Sequence, residues 1–598
     1  MILKKYFYLA LLMLAPVFVM PSCSDDNDLS GGENPPAGGE TVSNTAGDNF
    51  YMFVNGEWHA GLGNTGENQG YAYDMAYLLA EKTAMCAAQM DDVKLVVKAF
   101  KQSSSEDNEE RVGEIIDEII DGIKTEEDAY LAIGECVKMG LIDNYLKLFA
   151  VYNGNEVGFT VAPKNVEELM GAQMLAAEDE DEEDEEDSPA DKMIEMVIEG
   201  LGLSADSFVG FDVVEEFFIE MSQSSVDELK EFIQSAIQEE LLPYCGDEHT
   251  MDITGQFLTT EDYFNNQVND LFTYSISRAF NELYVTEETR EQFKAYGEEL
   301  RGVFGKRIEN STWLSDGTKQ QALNKLANMQ FCLGGPDEWC DEYAPEVKGE
   351  LFVDDIVELK TTRSRIIEAA LGKDTRDESM LLVMFAPGGM SLNTNNSVYT
   401  NENNTVNIFP IYMMEPEYAP NMDEGKMYAA FYVFGHEITH GFDLDGSKYD
   451  AFGNETDWWT AEDRIKFEAL NEEFSEHIGA HEVAPGINAP TENTIGENVA
   501  DLGGLNIAFD ALTAYLTKKG VTGEELKTKQ RTFFEHYAYR YRVDYSAAEF
   551  QKMLSDEHSM GSVRVNGMVQ HMDAWYELYD VVEGDSLYLP EEERVVIW

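Results

Sequence analysis

Residues 428–442 read Tyr-Ala-Ala-Phe-Tyr-Val-Phe-Gly-His-Glu-Ile-Thr-His-Gly-Phe, an apolar run that ends in two histidines four positions apart. On an α-helix four residues advance about 400°, so His436 and His440 project from one face, one turn apart. Two imidazoles placed this way can donate to one zinc ion at about 2.0–2.1 Å. Glu437 lies about 100° round the same helix, near such an ion but not behind it, where it can take a proton from metal-bound water. The preceding apolar stretch supplies a helix to bury the rear wall of the site. With nine His in 598 residues, a chance His-Glu-x-x-His is expected only about 0.01 times.

Catalytic zinc usually has three protein ligands and one open position, so a further carboxylate is sought downstream. Gly496-Glu497-Asn498-Val499-Ala500-Asp501 supplies two acids, Glu497 and Asp501, again at i and i+4. One can bind the metal while the other reaches the ring N–H of a ligand His, fixing its tautomer and raising its basicity. Asp443, just past the second His, is another candidate for that support. Alone, a Glu-x-x-x-Asp on an acidic chain is an ordinary solvated face; its weight comes from pairing with 436–440. A third cluster runs from Asp556 to Arg564. His558 can donate to the oxyanion formed in peptide hydrolysis, and Arg564 can hold a substrate carbonyl or carboxylate. Taken alone, a core His and a salt-bridged Arg are the plainer readings of these two.

The chain has 41 Lys+Arg against 115 Asp+Glu, a formal charge of −74, with 43% hydrophobic and 11% aromatic residues. Such a content supports a sizeable core in two large lobes or several domain equivalents. So negative a surface repels phosphate backbones and anionic headgroups, which excludes nucleic-acid binding. Lys4 and Lys5 precede an apolar run from Tyr6 to Met20 and then Pro21-Ser22-Cys23. The run is too short for the ~20 residues of a spanning helix and suits a signal peptide over 1–22. It resembles a bacterial lipobox, which makes Cys23 the acylated first residue, followed by a Gly/Pro/Ser/acid tether over 23–48. The protein is then expected on the cell envelope, held to the outer membrane through its lipid alone. From Asp48 to about Gly389 the pattern is mainly amphipathic helix, with Val112–Ile123 and Leu229–Ile237 as examples. The acidic run 178–187 cannot pack and is expected as a disordered insert over 178–189. Val398–Phe409 reads as an extended edge stopped by Pro410. Beyond Cys23 five cysteines remain, of which Cys332 and Cys340 alone are near enough in sequence for a local bridge.

Taken together these residues resemble the neprilysin and endothelin-converting-enzyme family of zinc metallopeptidases. Asn49-Phe-Tyr-Met-Phe-Val-Asn-Gly-Glu-Trp58 is similar to the family's opening motif. Arg307-Ile308, Trp313-Leu-Ser-Asp-Gly-Thr-Lys319, Ala322 and Lys325-Leu326 follow its central stretch, and Gly335-Pro336-Asp337 with Trp339 comes next. His436–Phe442, Gly496–Asp501 and the terminal Arg594-Val-Val-Ile-Trp598 complete the series. The resemblance implies one zinc per chain on His436, His440 and Glu497, with Glu437 as general base. It implies that Asp501 orients a ligand His, that His558 stabilises the transition state and that Arg564 contacts substrate. Asn396 and Ser397 stand where the family binds the peptide backbone, with Ser397 in place of its Ala. Leu444 and Met560 also depart from the family pattern, at an Asp and a Pro respectively.

The implied fold is mainly α (α+β) and two-lobed. A thermolysin-like zinc catalytic core over 391–598 and a large helical lid lobe over 49–390 enclose a central cavity. The implied activity is endopeptidase cleavage of oligopeptides on the amino side of hydrophobic residues by attack of zinc-bound water, in a protein expected to be monomeric. The rival from another class is a catalytically silent surface binding protein that keeps the fold; an intact Glu437 argues against it. The exopeptidase reading requires a Gly-x-Met-Glu-Asn motif, which is absent from the sequence.

Overall fold

Helices dominate the computed structural model, which describes residues 45–62, 68–153, 156–163, 189–210, 212–246, 267, 269–376, 389–418 and 422–598. The leader, Cys23 and the acidic run 178–187 lie outside the described residues. The chain divides into two compact units. Within the described residues, the first takes 80–284 and 335–393, and the second takes 45–79, 285–334 and 394–598. The division is interleaved: the opening helix and the 285–334 segment pack into the second unit. Each unit has its own apolar core, around Ile133, Phe159 and Ile233 in the first and around Phe304, Phe442 and Leu512 in the second.

The second unit is built from α1 (Phe50–Gly61), α2 (Glu287–Asn310), α3 (Asp316–Asn328), β1 (Gln330–Leu333), β2 (Val398–Thr400), β3 (Thr405–Ile408), α4 (Glu424–Ala430), α5 (Tyr432–His440), α6 (Ala461–Gly479), α7 (Ile495–Lys518), α8 (Gly523–Arg540) and α9 (Gly561–Val569). Side-chain caps start several of these helices. Asn49, Thr286, Ser315 and Thr460 each accept a backbone N–H in the first turn of α1, α2, α3 and α6, satisfying donors that the helix leaves open. The strands form one small sheet in the order β1-β3-β2, with β1 parallel and β2 antiparallel to β3. The expected single extended segment at 398–409 is therefore a hairpin. Asn404 turns the chain at φ 52°, a left-handed conformation that Asn tolerates better than most residues. Pro410 does not merely stop a strand; it opens the helix Pro410–Tyr418, where its missing N–H costs nothing.

Helix α7 is the axis of this unit. It is buried on nearly every side from Asn498 to Leu512, as a helix apolar all round must be. Its glycines let α5 lie directly on it. A Cβ on Gly504 would stand 2.5 Å from the backbone nitrogen of His436, and one on Gly503 would collide with the side chain of Thr439. The central and terminal family-like motifs meet in an aromatic cluster. Trp313 stacks on Trp459 with ring centroids 6.1 Å apart, its indole N–H donates to Ile597 O, and Arg307 donates twice to Trp598 O. The tether ends earlier than its composition suggests, since Ala46 is buried and Gly47 O accepts the Leu587 N–H.

The first unit holds the amphipathic helices read from the sequence, now bounded as Ser105–Ile120 and Val226–Leu241, each opened by a reciprocal capping box. Pro189, expected in the acidic insert, is instead the first residue of the helix Pro189–Leu201. One element of this unit departs from the helical reading. Leu146–Asn153 and Glu156–Pro163 form an antiparallel hairpin; Leu146 and Leu148 of the first strand are buried, and the second is buried without a break from Val157 to Ala162, as a short apolar run covered on both faces is. Cys332 and Cys340 do not form the bridge their spacing allowed. Among the described residues no helix is long and apolar enough to cross a membrane.

Candidate metal centre

Helices α5 and α7 bring His436, His440 and Glu497 together. One donor atom from each lies within 4.8 Å of the others. The two Nε2 atoms are 3.0 Å apart, and each is 3.3 Å from a different oxygen of Glu497. Each imidazole has its own carboxylate behind it. Nδ1 of His436 is 2.9 Å from Asp501 Oδ1, and Nδ1 of His440 donates to Asp443 Oδ2 at 2.7 Å. With Nδ1 turned to a carboxylate, both rings present Nε2 lone pairs to a common point.

Electrostatics reinforce the geometry. Burial alone would raise the Glu497 carboxyl, yet the two imidazoles outweigh it and hold it well below the ordinary range. Burial also opposes protonation of His436 and His440, but the facing carboxylates leave both rings above their usual value. The cluster is therefore a pocket of negative field that draws positive charge. Glu497 Oε2 is buried among imidazole nitrogens of His436 and His558, each 3.3 Å away, and an Arg564 nitrogen at 3.8 Å, without a well-aligned hydrogen bond to any of them. Two imidazole nitrogens and one carboxylate are the chemistry that binds zinc in catalytic sites. The residues fit the ion.

Glu437 is buried at 5% exposure. Burial raises its carboxyl above the usual value, although the two histidines and, less strongly, the backbone N–H of Tyr399 on β2 pull the other way. His558 is 40% exposed at the side chain, with Nε2 3.3 Å from Glu497 Oε2 and Nδ1 held by Asp556 at 3.0 Å. Arg564 is bound to Asp501 by two hydrogen bonds of 2.6 Å, and one of its nitrogens stands 3.8 Å from Glu497. Asp501 thus serves a cation on one side and a ring on the other. Tyr541 covers this pair: its hydroxyl bonds that of Tyr432 and its ring faces the Arg564 guanidinium at 4.9 Å.

Asn396 and Ser397 are not drawn into this cluster. Asn396 is exposed, and its side chain accepts the Ser397 N–H at 2.9 Å. Ser397 is buried, with its hydroxyl accepting the Phe409 N–H, so its side chain is turned inward. The reading from sequence misses the part played by Tyr399 and by the Gly503-Gly504 pair. The pair carries a legible signal, two adjacent glycines in the middle of an otherwise apolar helix, where close backbone approach is the usual reason.

A metal-ligand triad at the crossing of two buried helices, with an acid beside it, defines the metallopeptidase class. Two models of peptidase family M13 match residues 221–336 and 396–595, together more than half of the chain. The chain belongs to peptidase family M13. It is 27% identical over 341 residues to a neutral endopeptidase of Lactobacillus helveticus, covering 55% of this chain and 48% of that protein. It is 26% identical over 354 residues to human neprilysin, covering 56% and 45%. The chain thus spans about half the length of the curated relatives it matches. Its fold is that of the zinc metalloprotease Zmp1 of Mycobacterium tuberculosis in its open state. The TM-score is 0.71 at 20% identity, over 93% of this chain and 100% of that one.

Proposed function

We propose that the chain is a zinc-dependent endopeptidase acting on oligopeptides, with His436, His440 and Glu497 holding one zinc and Glu437 as general base. The observation that carries this reading is the convergence of the three donors beside a buried acid, each imidazole being backed by its own carboxylate. When bound there, zinc supplies Lewis-acid polarisation of the scissile carbonyl. Glu437 takes a proton from the attacking water and returns it to the leaving amine nitrogen, a shuttle favoured by its raised proton affinity. His558, fixed at Nδ1 by Asp556, presents Nε2 to the developing oxyanion. Arg564 is held by Asp501 through two of its nitrogens, and we assign the third to a substrate carbonyl. Cleavage on the amino side of hydrophobic residues is supported by the neprilysin-like motifs.

Metal analysis together with cleavage-site profiling of a mixed peptide library tests the proposal. About one zinc per chain is expected, with hydrolysis lost on chelation and restored by zinc. Zinc uptake without cleavage of any library member would instead favour the silent binding protein.

The lipobox-like sequence at Cys23 supports an envelope lipoprotein. Cys23→Ala is expected to move the protein from the membrane fraction to the soluble fraction and to abolish labelling with radioactive fatty acid. Membrane retention of the variant would refute the anchor.

A further inference from the structure

Lys325 lies on α3, whose Lys and Gln residues suggest a surface helix, yet it is 1% exposed. Its Nζ donates to Gly446 O at 2.6 Å and to Tyr449 O at 2.8 Å, and it faces the rings of Tyr399 and Phe442. Burial pushes its proton affinity down to about 7, with Asp443 and Asp450 pulling it up. A neutral amine and an ammonium both have enough N–H groups for the two carbonyls. Burying so long a polar side chain costs free energy, and what it grips is specific. The N–H of Gly446 donates to Asp443 Oδ1 at 2.7 Å, as does that of Asp445 at 2.9 Å. The other oxygen of Asp443 holds His440. The turn is pressed against α5, since a Cβ on Gly446 would strike the carbonyl of His440. On its other side Lys325 O accepts a hydrogen bond from Asn404, whose amide also donates to Ala451 O and whose Oδ1 accepts the Tyr399 hydroxyl.

We propose that Lys325 is a positioning residue of the metal centre: it clamps the 446–449 turn and so fixes Asp443 against His440. This inference rests on reading His436, His440 and Glu497 as metal ligands. Lys325 touches neither metal nor substrate; it acts through the aspartate. Met has nearly the same length and offers no donor, so Lys325→Met releases the turn without opening a large void.

The test is zinc affinity, measured by competition with a chromophoric chelator on the full chain. The proteins compared are wild type, Lys325→Met, Asp443→Asn and the double variant, each checked for fold by circular dichroism. Outer groups that orient metal ligands are worth roughly 10–100-fold in affinity. Lys325→Met is expected to weaken zinc about tenfold, and the double variant to bind as Asp443→Asn does, because the two residues act in series. Wild-type affinity in a folded Lys325→Met protein would overturn the proposal. So would losses that multiply in the double variant, the mark of a general packing role. Should the Met variant fail to fold, Lys325→Gln keeps N–H donors on a shorter arm and is expected to show a smaller loss with the same non-additivity. A wild type that takes up no zinc overturns the metal reading itself, an outcome distinct from the others.

Discussion

Glu437→Gln is expected to lower peptide hydrolysis by roughly 10³-fold while the protein still binds about one zinc per chain. Gln has the shape of Glu and fits the same buried position, so the local structure has no reason to move. What it lacks is proton affinity. Glu437 is one position away from a ligand His on α5 and is not itself among the three converging donors, so metal content should be spared. Parallel measurement of turnover and metal content checks both halves. A variant that cleaves peptides at the wild-type rate would remove Glu437 from the mechanism.

Gly504→Ala is expected to do comparable damage by a different route. The new methyl would meet the backbone nitrogen of His436 at 2.5 Å and its Cα at 2.8 Å, and backbone atoms cannot rotate away. Helices α5 and α7 must part, which costs about 3 kcal/mol of stability and separates His436 and His440 from Glu497. Chemical denaturation and zinc competition should therefore both show a loss. Gly302 provides the control. It sits in α2, and a methyl group added there would meet nothing within 4 Å, so Gly302→Ala is expected to be neutral or to stabilise the helix by up to about 1 kcal/mol. Equal stability of the two alanine variants would mean that the α5–α7 crossing is not closely packed.

Much of the site is legible in the sequence because helical periodicity is local. His436 and His440 must share a face once the segment is a helix. Glu497 needs the family resemblance, because no local rule links α7 to α5. The structure distributes the supporting acids, giving Asp501 to His436 and Asp443 to His440, and spacing alone leaves that choice open. Lys325 stands in the sequence only as part of a motif, since nothing in a Lys on a polar helix announces its burial. The hairpin at 146–163 is short and apolar between helices, and its second strand is buried from 157 to 162 without the alternation that marks a strand in sequence. The interleaving of the two units follows from contacts between residues hundreds of positions apart, which periodicity does not register.

That interleaving bears on how the chain is made. The N–H of Tyr51 in α1 donates to Asn566, 515 residues away, and Asn55 donates to Ala538, 483 residues away. During synthesis these bonds of the opening helix wait until residues 538–566 have been made, and so distant a closure is slow. Most of the first unit is one continuous stretch that can fold while translation continues. The second unit, which carries His436, His440 and Glu497, therefore closes its α1 edge only after the segments holding Ala538 and Asn566 have been made.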